Sequence, residues 1–335
     1  MKTLTSNFLK VVVGTITFTL AIVFSASGLS AQALSAQLSD KEIPVSEFNA
    51  LNVTDDFEVT LARGAYGVRL TVDKELAPYV EVYVKAKTLY ITYDEKSVPK
   101  EIKKIYKGKN GLTPVFRVVA YTPEIQSITL SDNAVFIGVE EFTASQFELS
   151  ATGKSQVKNL SVSAASAKIA LKKGAVAVIT AKTDRGVEVS TEGSSNLKLT
   201  SSGNEMIVNS EGSSVVVANG PSSSLNVFTA GSSQVSVTTD TGDVSLTMEG
   251  SSKVTLSGHA GNLSVKGSRS SSADAYSMPF KEVVADLSGS SNVTVTVSDK
   301  VDATLVGGSA LYYNGTPEFK IQKIVKSTLA PYGTK

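Results

Sequence analysis

The alternation of apolar and polar positions is most regular between residues 193 and 265. With Gly193, Gly212, Gly231 and Gly250 as origins, each followed by Ser-Ser, the chain repeats every nineteen residues. Four residues after each glycine stand Leu197, Val216, Val235 and Val254, and six after stand Leu199, Ala218, Val237 and Leu256. Thirteen after stand Met206, Leu225, Val244 and Leu263, and fifteen after stand Val208, Val227, Leu246 and Val265. All sixteen are apolar, in a segment otherwise rich in serine and threonine. Apolar positions two apart have the period of a strand with one buried face. Polar residues such as Lys198, Ser236 and Thr255, then Asn226, Ser245 and Ser264, fill the gaps. Each repeat therefore predicts two strands, separated by turns near Gly203, Gly220, Gly242 and Gly261.

Neither strand can bury its apolar face alone, but stacked repeats bury a continuous column. Nineteen extended residues cover roughly 60 Å, enough for a closed loop, with neighbouring loops about 4.8 Å apart. No helical period and no Leu-x-x-Leu-x-Leu pattern competes. The predicted fold is all-β: a single-stranded right-handed parallel β-helix, or β-solenoid, with coils of about nineteen residues. The Gly-Ser-Ser corner follows from this. Glycine accepts positive φ and close backbone approach, and a serine hydroxyl bonds backbone at the corner or the next serine in the stack.

The pattern extends outward. Gly174 has Val178 four after and Val187 and Val189 further on, Gly289 has Val293 and Val295, and Gly308 lies nineteen beyond Gly289. Between Gly250 and Gly289 the spacing breaks at "KGSRSSSADAYSMPFKEV", which predicts an inserted loop or bulge. In the front third, Phe57, Val59 and Leu61 alternate, as do Val68, Leu70 and Val72, then Val80, Val82 and Val84. The expected organisation is a signal peptide at 1–33, a linker at 34–43 and wider opening coils at 44–130 carrying a lysine-rich excursion at 94–111. Regular coils follow at 131–311, with a C-terminal cap or tail at 312–335. The signal peptide rests on the uncharged run from Val11 to Ala33, ending in small residues. It places the mature chain outside the cytoplasm, in the periplasm or at the cell surface, with no membrane-spanning segment after cleavage.

Charge and composition narrow the partners. Lys and Arg number 32 against 31 Asp and Glu, a balance that argues against nucleic acid as a partner. There is no cysteine, so no disulfide braces these residues, and stability must come from backbone pairing and apolar burial.

"FNALNVTDDFEVTLARG" (Phe48–Gly64), "YVEVYVKAKTLYITY", the repeated "GSS" turns and "LYYNGTPEF" resemble the head GIN domain family. The resemblance spans roughly residues 44–320. It implies a secreted protein of Gram-negative bacteria, a β-helix and an adhesin-like role, and it supplies no catalytic residues.

Chemistry-bearing residues are sparse. His259 is the sole histidine, in a turn about one coil beyond Asp240 and Asp243; a plain turn histidine is the favoured reading. Glu192, Glu211 and Glu249 recur one residue before the corner glycine and form either a solvated edge or an acidic stripe. Aromatic sugar-binding faces are rare, since there is no tryptophan and the central repeat holds only Phe228. Tyr276, Tyr312 and Tyr313 are the better aromatic candidates. No catalytic, metal-binding or cofactor-binding residue is assigned, and no cofactor is expected. The sequence points to a non-enzymatic binding module that presents a rigid polar surface to a glycan or protein ligand of the envelope. Two other readings stand beside it. A polysaccharide-acting β-helix enzyme would show carboxylates and a basic residue together in a groove, and an envelope assembly component would show a broadly apolar face or end.

Overall fold

The strands of this chain are written by valine, isoleucine, leucine and threonine at alternate positions, and they stack as that alternation requires. A computed structural model describes residues 37–107 and 111–333, all within the unit 36–335. The signal-peptide expectation at 1–33 lies outside the described residues. Residues 135–331 form successive parallel coils. Leu197, Val216, Val235 and Val254 pair in one file, which continues through Ala273, Val293 and Leu311 to Leu329. A second file runs from Leu149 through Ile169, Val189, Val208, Val227, Leu246 and Val265 to Ala303. All sixteen residues of the predicted apolar set are buried, none more than 3% exposed. At about 25 cal/mol per Å² of apolar area removed from water, these files are the main stabilising feature.

Each coil turns at one residue with left-handed backbone. The series is Asp132, Gly153, Lys173, Gly193, Gly212, Gly231, Gly250, Arg269, Gly289, Gly307 and Lys326, with φ between +51° and +81°. A Cβ on Gly231 would lie 2.7 Å from the Gly212 carbonyl oxygen, so the glycine also permits the close stacking. That stacking is sealed by backbone bonds, Ser232 N donating to Gly212 O and Ser251 N to Gly231 O, each at 2.7 Å. The second serine of each corner points inward. Ser195, Ser214 and Ser233 are buried and donate to the carbonyl three residues upstream, on Glu192, Glu211 and Ala230, at 2.8 to 2.9 Å. At these three corners the hydroxyl therefore closes its own turn, whereas Ser291 and Ser309 donate to the Gly267 and Leu287 carbonyls of the coil beneath.

Two register expectations are corrected. The corner preceding Gly193 is Lys173, not Gly174, because Val176 pairs with Asn196 and Ala177 with Leu197. Ala177 and Ile179 face the core, and Val178 is 41% exposed. The coil is one residue longer than its neighbour, and a bulge between Lys182 and Gly186 absorbs the difference. At the far end Asn292 pairs with Ala310, so Gly307, not Gly308, stands over Gly289. The break between Gly250 and Gly289 holds no inserted loop. Arg269 occupies the corner, and the extra length is a bulge between Ala275 and Pro279.

The front third stacks on this solenoid, but not in chain order. Ala50–Val53 lies between Thr88–Tyr93 and Ser127–Leu130, and Glu58–Arg63 lies between Phe116–Thr122 and Val135–Gly153. Antiparallel strands then close this end: Gly67–Asp73 on Phe116–Thr122, and Val80–Lys85 on Thr88–Tyr93. The stretch read as a linker contains the strand Leu38–Ile43, paired antiparallel with Gly67–Asp73. The lysine-rich excursion forms a short helix, Lys100–Tyr106, with Val98 and Leu76 buried beside it. Burial and nearby carboxylates push the Tyr93 and Tyr106 hydroxyls up to about 12. The tail expected to cap the other end is itself a coil, with Glu318–Val325 and Thr328–Pro331 parallel to the strands before them.

Candidate functional site

A groove of about 540 Å³ crosses the coils where the bulge of residues 182–186 interrupts their stacking. The extra residue of that coil pushes Asp184 and Arg185 outward, and both are exposed. Ser166, Ala167 and Gly186 make a low floor. Gly186 has φ +147° and approaches so closely that a Cβ would lie 2.2 Å from the Glu205 carbonyl oxygen, so no larger residue fits there. Gln146, Glu148, Arg185 and Glu205 line the groove.

One outward file of the groove alternates in charge. Glu148 pairs in register with Lys168, and Lys168 with Glu188. The Lys168 ammonium lies 3.6 Å from the Glu188 carboxylate. These groups are half-exposed, so the contact contributes little to stability. Glu205 accepts from the Asn226 amide at 3.0 Å. Among the described residues no carboxylate pairs with Arg185, which leaves a guanidinium with five donors facing the groove. The arrangement presents amides, hydroxyls, carboxylates and one free fork of donors, at the spacing of about 4.8 Å from coil to coil.

The residues singled out from sequence lie elsewhere. His259 stacks directly over Asp240, its Nδ1 2.9 Å from the carboxylate, and Asn262 donates to Asp243 at 2.8 Å. His259 and Asp240 are 82% and 72% exposed, a surface pair at the last residues of two stacked strands rather than in a turn, with no third partner among the described residues. Glu192 is paired with Lys172 at 3.0 Å, which interrupts any acidic stripe with Glu211 and Glu249. Phe228 sits half-buried in an outward file between Asn209 and Thr247. The late tyrosines pack locally: Tyr276 lies against Tyr332 at 4.9 Å and Tyr313 against Phe319 at 4.8 Å, while Tyr312 stays half-buried over Thr294. Among the described residues no three of His, Asp and Glu come together as a metal ion requires. The groove was missed because Arg185 and Glu205 come together only through a one-residue bulge. Its signal in the sequence was the twenty-residue step from Lys173 to Gly193, hidden by the false corner at Gly174.

Fold and surface together define an elongating stack of polar-faced coils, a β-solenoid with a surface groove. The profile of the family described as "Putative auto-transporter adhesin, head GIN domain" matches residues 47–235 and 198–317, and the chain belongs to that family. No protein with curated annotation matches the sequence. Several solved structures are similar. A "putative lipid binding protein" of Parabacteroides distasonis ATCC 8503 shares 17% identity over 88% of this chain and 96% of its own, with a TM-score of 0.37. A "putative adhesin" of Parabacteroides merdae ATCC 43184 shares 19% over 88% and 96%, with a TM-score of 0.34. Another from Bacteroides fragilis NCTC 9343 shares 13% over 89% and 98%, with a TM-score of 0.32. Likenesses this loose say nothing about the ligand of this chain.

Proposed function

We propose that this chain is a non-enzymatic binding module acting outside the cytoplasm, at the envelope or cell surface, and that the groove around Arg185 receives its ligand. The observation that carries the reading is the unpaired Arg185 over a floor of small residues, with Gln146, Glu148 and Glu205 around it. Such a lining offers both donors and acceptors to a hydroxyl-rich chain laid across the coils, so the ligand class is a glycan. Family membership supports an adhesin-like role, and the uncharged N-terminal run supports export. The test is a glycan-array and pull-down screen with residues 34–335. Binding is expected to fall about tenfold or more with Arg185→Ala, the loss of a charge-assisted donor pair. It should be unchanged by Lys198→Ala on another outward file. Equal binding by the Arg185 variant would remove the groove from the proposal.

The alternating file Glu148, Lys168 and Glu188 favours a second reading, a polysaccharide-acting enzyme, because it places carboxylates and a base together in a groove. Turnover of an acidic polysaccharide by the purified chain, abolished by Glu188→Gln, would establish it in place of the binding module.

A further inference from the structure

The two ends of the solenoid are built differently. The N-terminal end is closed by antiparallel strands and the helix Lys100–Tyr106. Its edge strand Leu38–Ile43 carries Lys41 on the core-facing side, opposite Leu70, a charge that discourages further pairing. At the C-terminal end the last coil lays Thr328–Pro331 on the strand holding Leu311, and Glu318–Val325 on the strand holding Val301 and Leu305; Glu318–Val325 pairs on that edge only among the described residues. Its core-facing residues stay open. Phe319, Ile321 and Ile324 are 41%, 44% and 40% exposed, whereas Val301, Ala303 and Leu305 beneath them are 0% exposed. Between them, facing outward, stand Lys320 and Lys323, with Lys326 at the corner. Lys320 is held by Asp302 at 3.1 Å, and Lys323 and Lys326 pair with no carboxylate among the described residues.

We propose that this open coil is an acceptor for one extended strand of another protein, apolar at alternate residues and acidic between them. The open backbone edge of Glu318–Val325 supplies main-chain pairing, Phe319, Ile321 and Ile324 supply the apolar seat, and Lys323 with Lys326 selects carboxylates. A second copy fits poorly in either direction. Antiparallel self-pairing that sets Phe319 against Ile324 also sets Lys320 against Lys323, with like charges opposed. Head-to-tail stacking would bury Lys41 against the apolar seat. The acceptor is independent of the groove around Arg185.

The experiment is fluorescence anisotropy of labelled synthetic peptides of about ten residues added to the purified chain. A peptide alternating valine and glutamate is expected to bind, and peptides alternating valine with lysine, or serine with glutamate, are not. The double variant Lys323→Glu/Lys326→Glu should weaken the valine–glutamate peptide about tenfold, from one attractive cross-strand pair at Lys323 and one attractive contact at the Lys326 corner made repulsive. Ile321→Asn should weaken it as well, while Arg185→Ala leaves it unchanged. Circular dichroism melts check that the variants fold, and Lys323→Gln/Lys326→Gln replaces the reversal if that one does not. Absence of binding, or binding indifferent to both lysines, overturns the proposal. So does sedimentation of the chain as a dimer that Ile321→Asn dissociates, since a second copy would then cover the end.

Discussion

At the scale of single residues, the corner decides what each position tolerates. Eleven corners share one left-handed conformation, yet three of them carry Lys173, Arg269 and Lys326 and one carries Asp132. Residues with a Cβ cost roughly 1–2 kcal/mol in that region. Arg269→Gly is therefore expected to stabilise the chain by about 1 kcal/mol, read as a higher denaturant midpoint. Gly231→Ala adds the same backbone cost and a Cβ 2.7 Å from the Gly212 carbonyl oxygen, and should destabilise by roughly 2 kcal/mol or more. Equal stability of both variants with the parent would show that the corner places no demand on its residue. Lys173 and Arg269 at corners also hide the register from the pattern of glycines. The sequence marks the corner by conformation, and glycine is only its commonest occupant.

At the scale of the strand, inward and outward are exchanged by a slip of one residue. Val178 and Ile179 are both β-branched and adjacent, and hydrophobicity alone does not say which faces the core. Pairing of Ile179 with Leu199 buries it to 1% exposure and leaves Val178 outside. Ile179→Ala should cost about 2–5 kcal/mol through the cavity it leaves, and Val178→Ala within about 0.5 kcal/mol. Thermal or denaturant melts of the two variants measure the difference, and the opposite order would restore Gly174 as the corner. Bulges act at the same scale. The extra residue at 183–185 is what lifts Arg185 off the surface and opens the groove, so the candidate site is a product of register and not of any motif.

At the scale of the whole solenoid, each coil leans mainly on its two neighbours, so the described unit is close to a one-dimensional stack. Removing residues 231–249, one full period from corner to corner, should bring Val216, Leu225 and Val227 into register with Val254, Leu263 and Val265. The shortened chain is expected to fold, with a β-type circular dichroism spectrum and a cooperative melt. Removal of about half that length should not fold, because it sets outward residues against inward files. The sequence by itself determined the strand period, the nineteen-residue coil and the sixteen core residues from Leu197 to Val265, because local alternation and a fixed repeat leave only one way to bury them. Tertiary structure alone decided three things. It placed Ala50–Val53 and Glu58–Arg63 between later strands, it assigned Lys173 and Gly307 to corners, and it left Phe319, Ile321 and Ile324 open at one end. Each depends on which strand lies beside which, and backbone pairing between distant segments is not written in the alternation of any one of them.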